Sequence, residues 1–119
     1  MATYSKTILS GSTDGKGILV AATSTPGTTI HTASTTTTTL DEVWLYAVNT
    51  STSNVKLTVE WGETTAPNGN IEFTVNAENG LYLIVPGLIL KGNATALVVR
   101  AFAATANVIT VHGYVNRIA

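Results

Sequence analysis

The apolar positions of this chain recur at every second residue, in short runs broken by glycine, proline and asparagine. Residues 55–61 show it most plainly: Val55, Leu57, Val59 and Trp61 alternate with Lys56, Thr58 and Glu60. Successive strand side chains point to opposite faces, so this stretch reads as a half-buried antiparallel strand with its polar set on the solvated side. Ile71, Phe73 and Val75 alternate in the same way with Glu72, Thr74 and Asn76. Near the end, Ile109, Val111 and Val115 share a face with Gly113, opposite Thr110, His112, Tyr114 and Asn116. Residues 41–50 differ, because both of their faces are apolar: Val43, Leu45 and Ala47 oppose Trp44, Tyr46 and Val48. Residues 95–103 repeat that pattern, with Leu97, Val99 and Ala101 against Ala96, Val98, Arg100 and Phe102.

Turn chemistry punctuates these runs at Pro26-Gly27, Asn68-Gly69, Asn79-Gly80, Pro86-Gly87 and Gly92-Asn93. Proline presets φ and glycine accepts positive φ, so such pairs end strands. Residues 51–54 read as the hairpin connection between the strands at 41–50 and 55–62. Residues 104–107 read as the connection of a last hairpin between 95–103 and 108–116. The run at 81–85 is expected to stop at Pro86-Gly87, and the Ser/Thr run at 34–39 to be a loop. No apolar period of 3.6 residues survives in any useful window. About eight short strands at this spacing predict an all-β fold, an antiparallel β-sandwich open to jelly-roll connections, with a closed barrel as the alternative. The polar, glycine-punctuated residues 1–16 read as an extended N-terminal arm, and residues 17–119 as a single β-sandwich domain.

Composition narrows the function classes. There is no cysteine, which excludes a disulfide scaffold, a thiolate metal cluster and a cysteine nucleophile. Charged residues are 11% of the chain, against about a quarter in ordinary proteins, and the formal net charge is -1. With no basic run, phosphate-driven binding to nucleic acid has little to act through, so no nucleic-acid partner is expected. Mean hydropathy is +0.28. A surface so poor in charge suits one covered by neighbours better than a free, colloidally stable enzyme. No apolar run reaches membrane-spanning length, and the first residues contain no signal-peptide stretch, so neither a membrane nor export is expected.

Candidate chemistry is sparse. His112 lies mid-strand between Val111 and Gly113 and reads as a strand-face residue with a hydrogen bond, since a catalytic histidine needs an orienting partner and a nucleophile. Glu60 and Glu72 come near each other if their strands pair, as a two-carboxylate hydrolase requires, but both are expected to be solvated on an outer face. No glycine loop precedes a helix, so no phosphate-binding loop is present. The chain is expected to be non-enzymatic, with no cofactor and no metal. The two-sided apolar strand carries more information: if one set fills the core, Trp44, Tyr46 and Val48 need cover from this chain or another.

The stretches DEVWLYAVNTS, KLTVEWGETTAP, GLYLIVPGLIL and VVRAFAATANVITVHGYVNRIA resemble small structural proteins of tailed bacteriophages, of the capsid decoration (cement) type; GSTDGKGILVA and TPGTTIHTA fit the same pattern. The resemblance covers most of the chain. It implies a sandwich or jelly-roll protomer, made in the host bacterial cytoplasm and carried on the virion surface. It also implies the major capsid protein as partner and assembly as a homo-oligomer, a trimer first among the possibilities. Expected contact residues are Tyr4, Ile8 and Leu9 of the arm, Trp44, Tyr46 and Val48 of the two-sided strand, and Arg100 and Phe102. A tail or head–tail accessory subunit is the nearest alternative. A host-glycan-binding module is a further one, with Trp61 beside Glu60, Glu63 and Asn70 as its candidate patch.

Overall fold

A computed structural model describes residues 2–119 of the chain. Nine strands follow in order: β1 (Tyr4–Ile8), β2 (Ile18–Leu19), β3 (Thr28–Thr32), β4 (Leu40–Asn49), β5 (Val55–Trp61), β6 (Asn70–Val75), β7 (Tyr82–Lys91), β8 (Val98–Ala103) and β9 (Ile109–Ile118). The described residues contain no helix. Sheet A has the order β1-β9-β4-β7, with β2 also pairing β9, and sheet B has the order β3-β8-β5-β6. Every pairing is antiparallel. The fold is thus the antiparallel β-sandwich that the alternation predicts.

The core lies between the sheets and is filled by the inward set of each strand. Sheet A supplies Val43, Leu45, Ala47, Ile109, Val111 and Val115, and sheet B supplies Ile30, Leu57, Val59, Val99, Ala101 and Ala103. Burying each larger aliphatic side chain contributes roughly 1.5–3 kcal/mol relative to leaving it in water. At one position β9 has no room for any side chain: a Cβ on Gly113 would run into the Trp44 carbonyl of the neighbouring strand.

Connectivity departs from the hairpin expectation. β4 lies in sheet A and β5 in sheet B, so residues 50–54 arch from one sheet to the other. Residues 104–108 do the same between β8 and β9, and neither pair forms a hairpin. Among the described strands only β5 and β6 are both consecutive and hydrogen-bonded. The physical reason is burial. β4 and β5 each carry an apolar set on one face, Val43, Leu45 and Ala47 against Val55, Leu57 and Val59, and crossing the roughly 10 Å between sheets sets those faces against each other. Asn49 anchors the first arch: its Nδ2 donates to the carbonyls of Ser53 and Val75, both at 2.9 Å, from a fully buried position.

The outer side of β5 also differs from expectation. Lys56 is exposed and meets Glu72 at 3.1 Å, but Thr58 and Glu60 are buried. The segment between β2 and β3 folds over them, with Gly27 packed against the Ala101 backbone and Ala22 accepting from the Ala103 amide. Glu60, 1% exposed, accepts from the Thr25 hydroxyl at 2.5 Å and the Gly27 amide at 2.6 Å. Glu60 therefore pins this overlying segment and is unavailable for the two-carboxylate arrangement with Glu72. Glu60→Gln replaces one acceptor with an amide donor facing these donors. It is expected to cost about 1–3 kcal/mol in equilibrium urea unfolding, with an unchanged m-value.

Two further boundaries shift. Residues 1–16 are not a free arm: Tyr4–Ile8 pair with β9 in register from Tyr4↔Ile118 to Ile8↔Tyr114, and Leu9 enters the core. Residue 1 of that expected arm lies outside the described residues. The stop expected at Pro86-Gly87 does not occur either. β7 runs through both residues as an edge strand, with register shifts after Val43 and Leu45 of its partner. Edge strands and bulges are where a ladder tolerates proline, because the missing N–H faces no neighbour.

Candidate interaction surface

The outward set of β4 lies on the outer face of sheet A, which no strand covers. Glu42, Trp44, Tyr46 and Val48 are half-buried there, beside their β9 partners Asn116, Tyr114, His112 and Thr110. Trp44 and Tyr114 are direct cross-strand partners, with ring planes 11° apart and centroids separated by 6.1 Å. Lys6 of β1 sets its Nζ 4.9 Å from the Tyr114 centroid. Gly87 of β7 lies close enough to the Trp44 indole that a Cβ there would be 2.8 Å from a ring carbon. A row of ring and cation thus crosses the sheet from β1 to β7. Aromatic cross-strand pairs of this kind typically contribute about 0.5–1.5 kcal/mol beyond their buried area.

Hydrogen bonds fix this row. The Trp44 indole Nε1–H donates to Glu42 Oε1 at 2.6 Å, and Asn116 Nδ2 donates to the same oxygen at 2.9 Å. The Trp44 bond, followed by that of Asn116, holds the Glu42 carboxyl below its ordinary range. An open groove of about 360 Å³ lies beside it, with Tyr4, Lys6, Glu42, Asn116 and Arg117 in its wall. His112, at the other end of the face, makes a 3.2 Å contact with the Thr110 hydroxyl, as its strand-face position predicts.

The exposed large apolar side chains are distributed unevenly. Tyr4, Ile8 and Leu19 lie on β1 and β2, at one edge of sheet A. Leu81, Tyr82, Leu83, Leu88 and Ile89 lie on or directly before β7, at the other edge. None of these exposed side chains belongs to sheet B.

The expected contact residues are thereby divided. Tyr4, Ile8, Trp44, Tyr46 and Val48 all lie on sheet A, and Tyr4 is 75% exposed. Arg100 and Phe102 lie on β8 in sheet B, away from that face, and Arg100 is tied to the Thr29 hydroxyl at 3.1 Å. Leu9 is a correction: at 1% exposure it is a core residue that cannot reach a partner, because the chain turns inward after β1. Sequence reasoning missed the β7 edge. The apolar residues of 81–90 hide which side chains are buried, because the bulges of β7 turn Val85 and Leu90, an odd number of residues apart, to the same buried side and leave Leu83, Leu88 and Ile89 exposed. The glycan patch is not brought together: Glu60 is withdrawn beneath the 24–27 turn, and Trp61 packs against the core.

A second constellation is buried. His31, Asp41 and Arg117 meet where β3, β4 and β9 converge: His31 Nε2 is 2.8 Å from Asp41 Oδ2, and Arg117 donates to both Asp41 oxygens at 2.7 and 2.8 Å. Burial acts to raise the Asp41 carboxyl, but the hydrogen bonds from Arg117 and then from His31, together with the charge of the adjacent guanidinium, outweigh it and hold it below the usual carboxylate range. Ser10 completes an apparent Ser–His–Asp set without its chemistry. Its backbone N–H, at 3.1 Å, occupies the Nδ1 that a general base needs free, and its hydroxyl accepts from the Thr32 amide at 2.6 Å. Among the described residues, no group of three or more His, Asp or Glu side chains is placed to hold a metal. No family model, curated protein or solved structure matches the chain.

Proposed function

We propose that this protein is a structural subunit that works by packing sheet A against other protein subunits, as a decoration protein on a phage capsid. The observation that carries the reading is the asymmetry of the apolar surface: the exposed large apolar side chains of the described residues lie along the β1/β2 and β7 edges of sheet A, and Tyr4, Ile8, Leu19, Leu83 and Ile89 share the outer face with the Trp44–Tyr114 row. Single exposed apolar residues are ordinary, but a set gathered on one sheet marks a contact surface. Aromatic anchors beside a polar rim are what interface cores use, and Glu42, Asn116 and Lys6 supply that rim. Strand order β1/β2-β9-β4-β7 against β3-β8-β5-β6 supports the jelly-roll form of the sandwich, the connectivity of many capsid-associated domains. The low charge and the resemblance to small tailed-phage virion proteins point the same way. The chain is non-enzymatic in this reading, and its contacts, repeated over a symmetric shell, act together so that each one is modest.

The test mixes purified protein with expanded empty capsids after its native mass has been measured. Expected results are a homo-oligomer, a trimer first, that co-sediments with shells. Leu83→Lys with Ile89→Lys places charge on two side chains that are solvent-exposed in the isolated chain, so folding is retained while shell binding weakens by about tenfold or more. A stable monomer that ignores capsids overturns the proposal. Binding at tail copy number instead assigns the subunit to the tail.

A further inference from the structure

His31 is buried with both ring nitrogens engaged. Nδ1 faces the Ser10 amide, and a backbone N–H only donates, so Nδ1 is an acceptor and the ring proton sits on Nε2, directed at Asp41. The charged groups meeting here are Asp41 from β4 and Arg117 from β9. β8 presents uncharged Val99 opposite His31, and the segment after β1 presents the Ser10 amide. With a neutral ring, one carboxylate and one guanidinium cancel.

Ser10 and Gly11 are stapled to the edge of β3 by three bonds. The Ser10 amide donates to His31 Nδ1, the Thr32 amide donates to Ser10 Oγ, and the Gly11 amide donates to the Ile30 carbonyl at 2.9 Å. Leu9, directly before them, fills the core. This strap joins edge strand β1 of sheet A to edge strand β3 of sheet B.

We propose that His31 is a proton-sensitive latch for this strap, closed while Nδ1 accepts the Ser10 amide and opened by a proton on the same nitrogen. One lone pair cannot serve both hydrogens. Protonation therefore releases Ser10 and leaves an uncompensated positive charge in the buried cluster. Acid shifts residues 9–17 from a stapled to an open strap before the fold as a whole is lost. Opening bares the backbone of the β3 edge, the kind of unpaired row that accepts a strand from another chain.

Amide hydrogen exchange of the full chain, followed by NMR across neutral to mildly acidic pH, tests the latch. Protection factors of Ser10 and Thr32 are expected to fall by up to about tenfold per pH unit, the slope of one linked proton, while amides of β4 keep theirs. In His31→Asn the side-chain oxygen replaces Nδ1 as an acceptor that does not titrate, and the dependence is expected to disappear. If that variant does not fold, the imidazole nitrogen resonances of the native protein carry the test: Nδ1 is unprotonated at neutral pH and gains its proton in step with the loss of Ser10 protection. Ser10 protection that is flat with pH, or that falls together with β4, overturns the latch. So does the native slope in His31→Asn, or a proton on Nδ1 at neutral pH.

Discussion

Asp41→Ala is expected to destabilise the protein by about 3 kcal/mol or more, because removing one member of a buried ion pair strands its partners. The carboxylate is 1% exposed and accepts three hydrogen bonds, two from Arg117 and one from His31. After truncation, His31 Nε2–H has no acceptor in the core. Arg117 retains partial access to water, its side chain being 32% exposed, which holds the loss toward the lower end of the range. Urea unfolding at neutral pH measures the difference. The dependence on pH has a definite sign. The folded carboxyl is held below its ordinary value, so its stabilisation is complete above about pH 4 and is lost as pH falls through the folded value. The contribution of the Asp41 charge to the wild-type advantage over Asp41→Ala therefore shrinks on acidification below that point. An advantage that grows as pH falls below about 4 contradicts the placement of this charge.

Gly113→Ala is expected to cost about 3 kcal/mol or more, for a reason of space rather than charge. β9 passes β4 at Leu45↔Gly113, and an added Cβ meets the Trp44 carbonyl, which belongs to the backbone of a central strand and cannot swing aside. The two strands must separate locally, disturbing the Trp44–Tyr114 pair next to them. Gly80 provides the comparison. Its φ is +69° and a Cβ there meets nothing within 4 Å, so Gly80→Ala costs only the left-handed backbone penalty of about 1–2 kcal/mol. Thermal unfolding of the two variants separates them: Gly113→Ala falls much further and also changes the tryptophan emission of the native state. Equal losses contradict the close approach of β9 to β4.

Strand positions were legible from the sequence wherever one face of a strand is apolar and the other is not. The alternation from Ile109 to Asn116 separates Ile109, Val111 and Val115, which are buried, from Thr110, His112, Tyr114 and Asn116, which are half-exposed on the far side. Pairing was not legible. A four-residue link such as 51–54 suits a hairpin and an arch equally well in local terms, and only the position of the opposite sheet decides between them. Glu60 was misplaced for a related reason. Its neighbours say which face it occupies, but the cover over that face comes from residues 22–27, more than thirty positions earlier. Within the candidate surface, Trp44 and Tyr46 announce themselves by sitting opposite a complete apolar face. Leu83 and Ile89 do not, because an edge strand with bulges breaks the two-residue period from which exposure is read.

Strand β9 is the last of the described strands to be translated, yet sheet A is assembled around it: β1, β2 and β4 all take it as a hydrogen-bonded partner. A nascent chain that has not yet released residues 109–118 from the ribosome holds β4 with a neighbour on one side only, and β1 and β2 with none. During that interval the Trp44 and Leu45 faces are both uncovered, the condition in which chains recruit chaperones or aggregate. Sheet A accordingly closes only once residues 109–118 are free to pair, and the time between synthesis of Leu40 and Ile118 is its window of vulnerability.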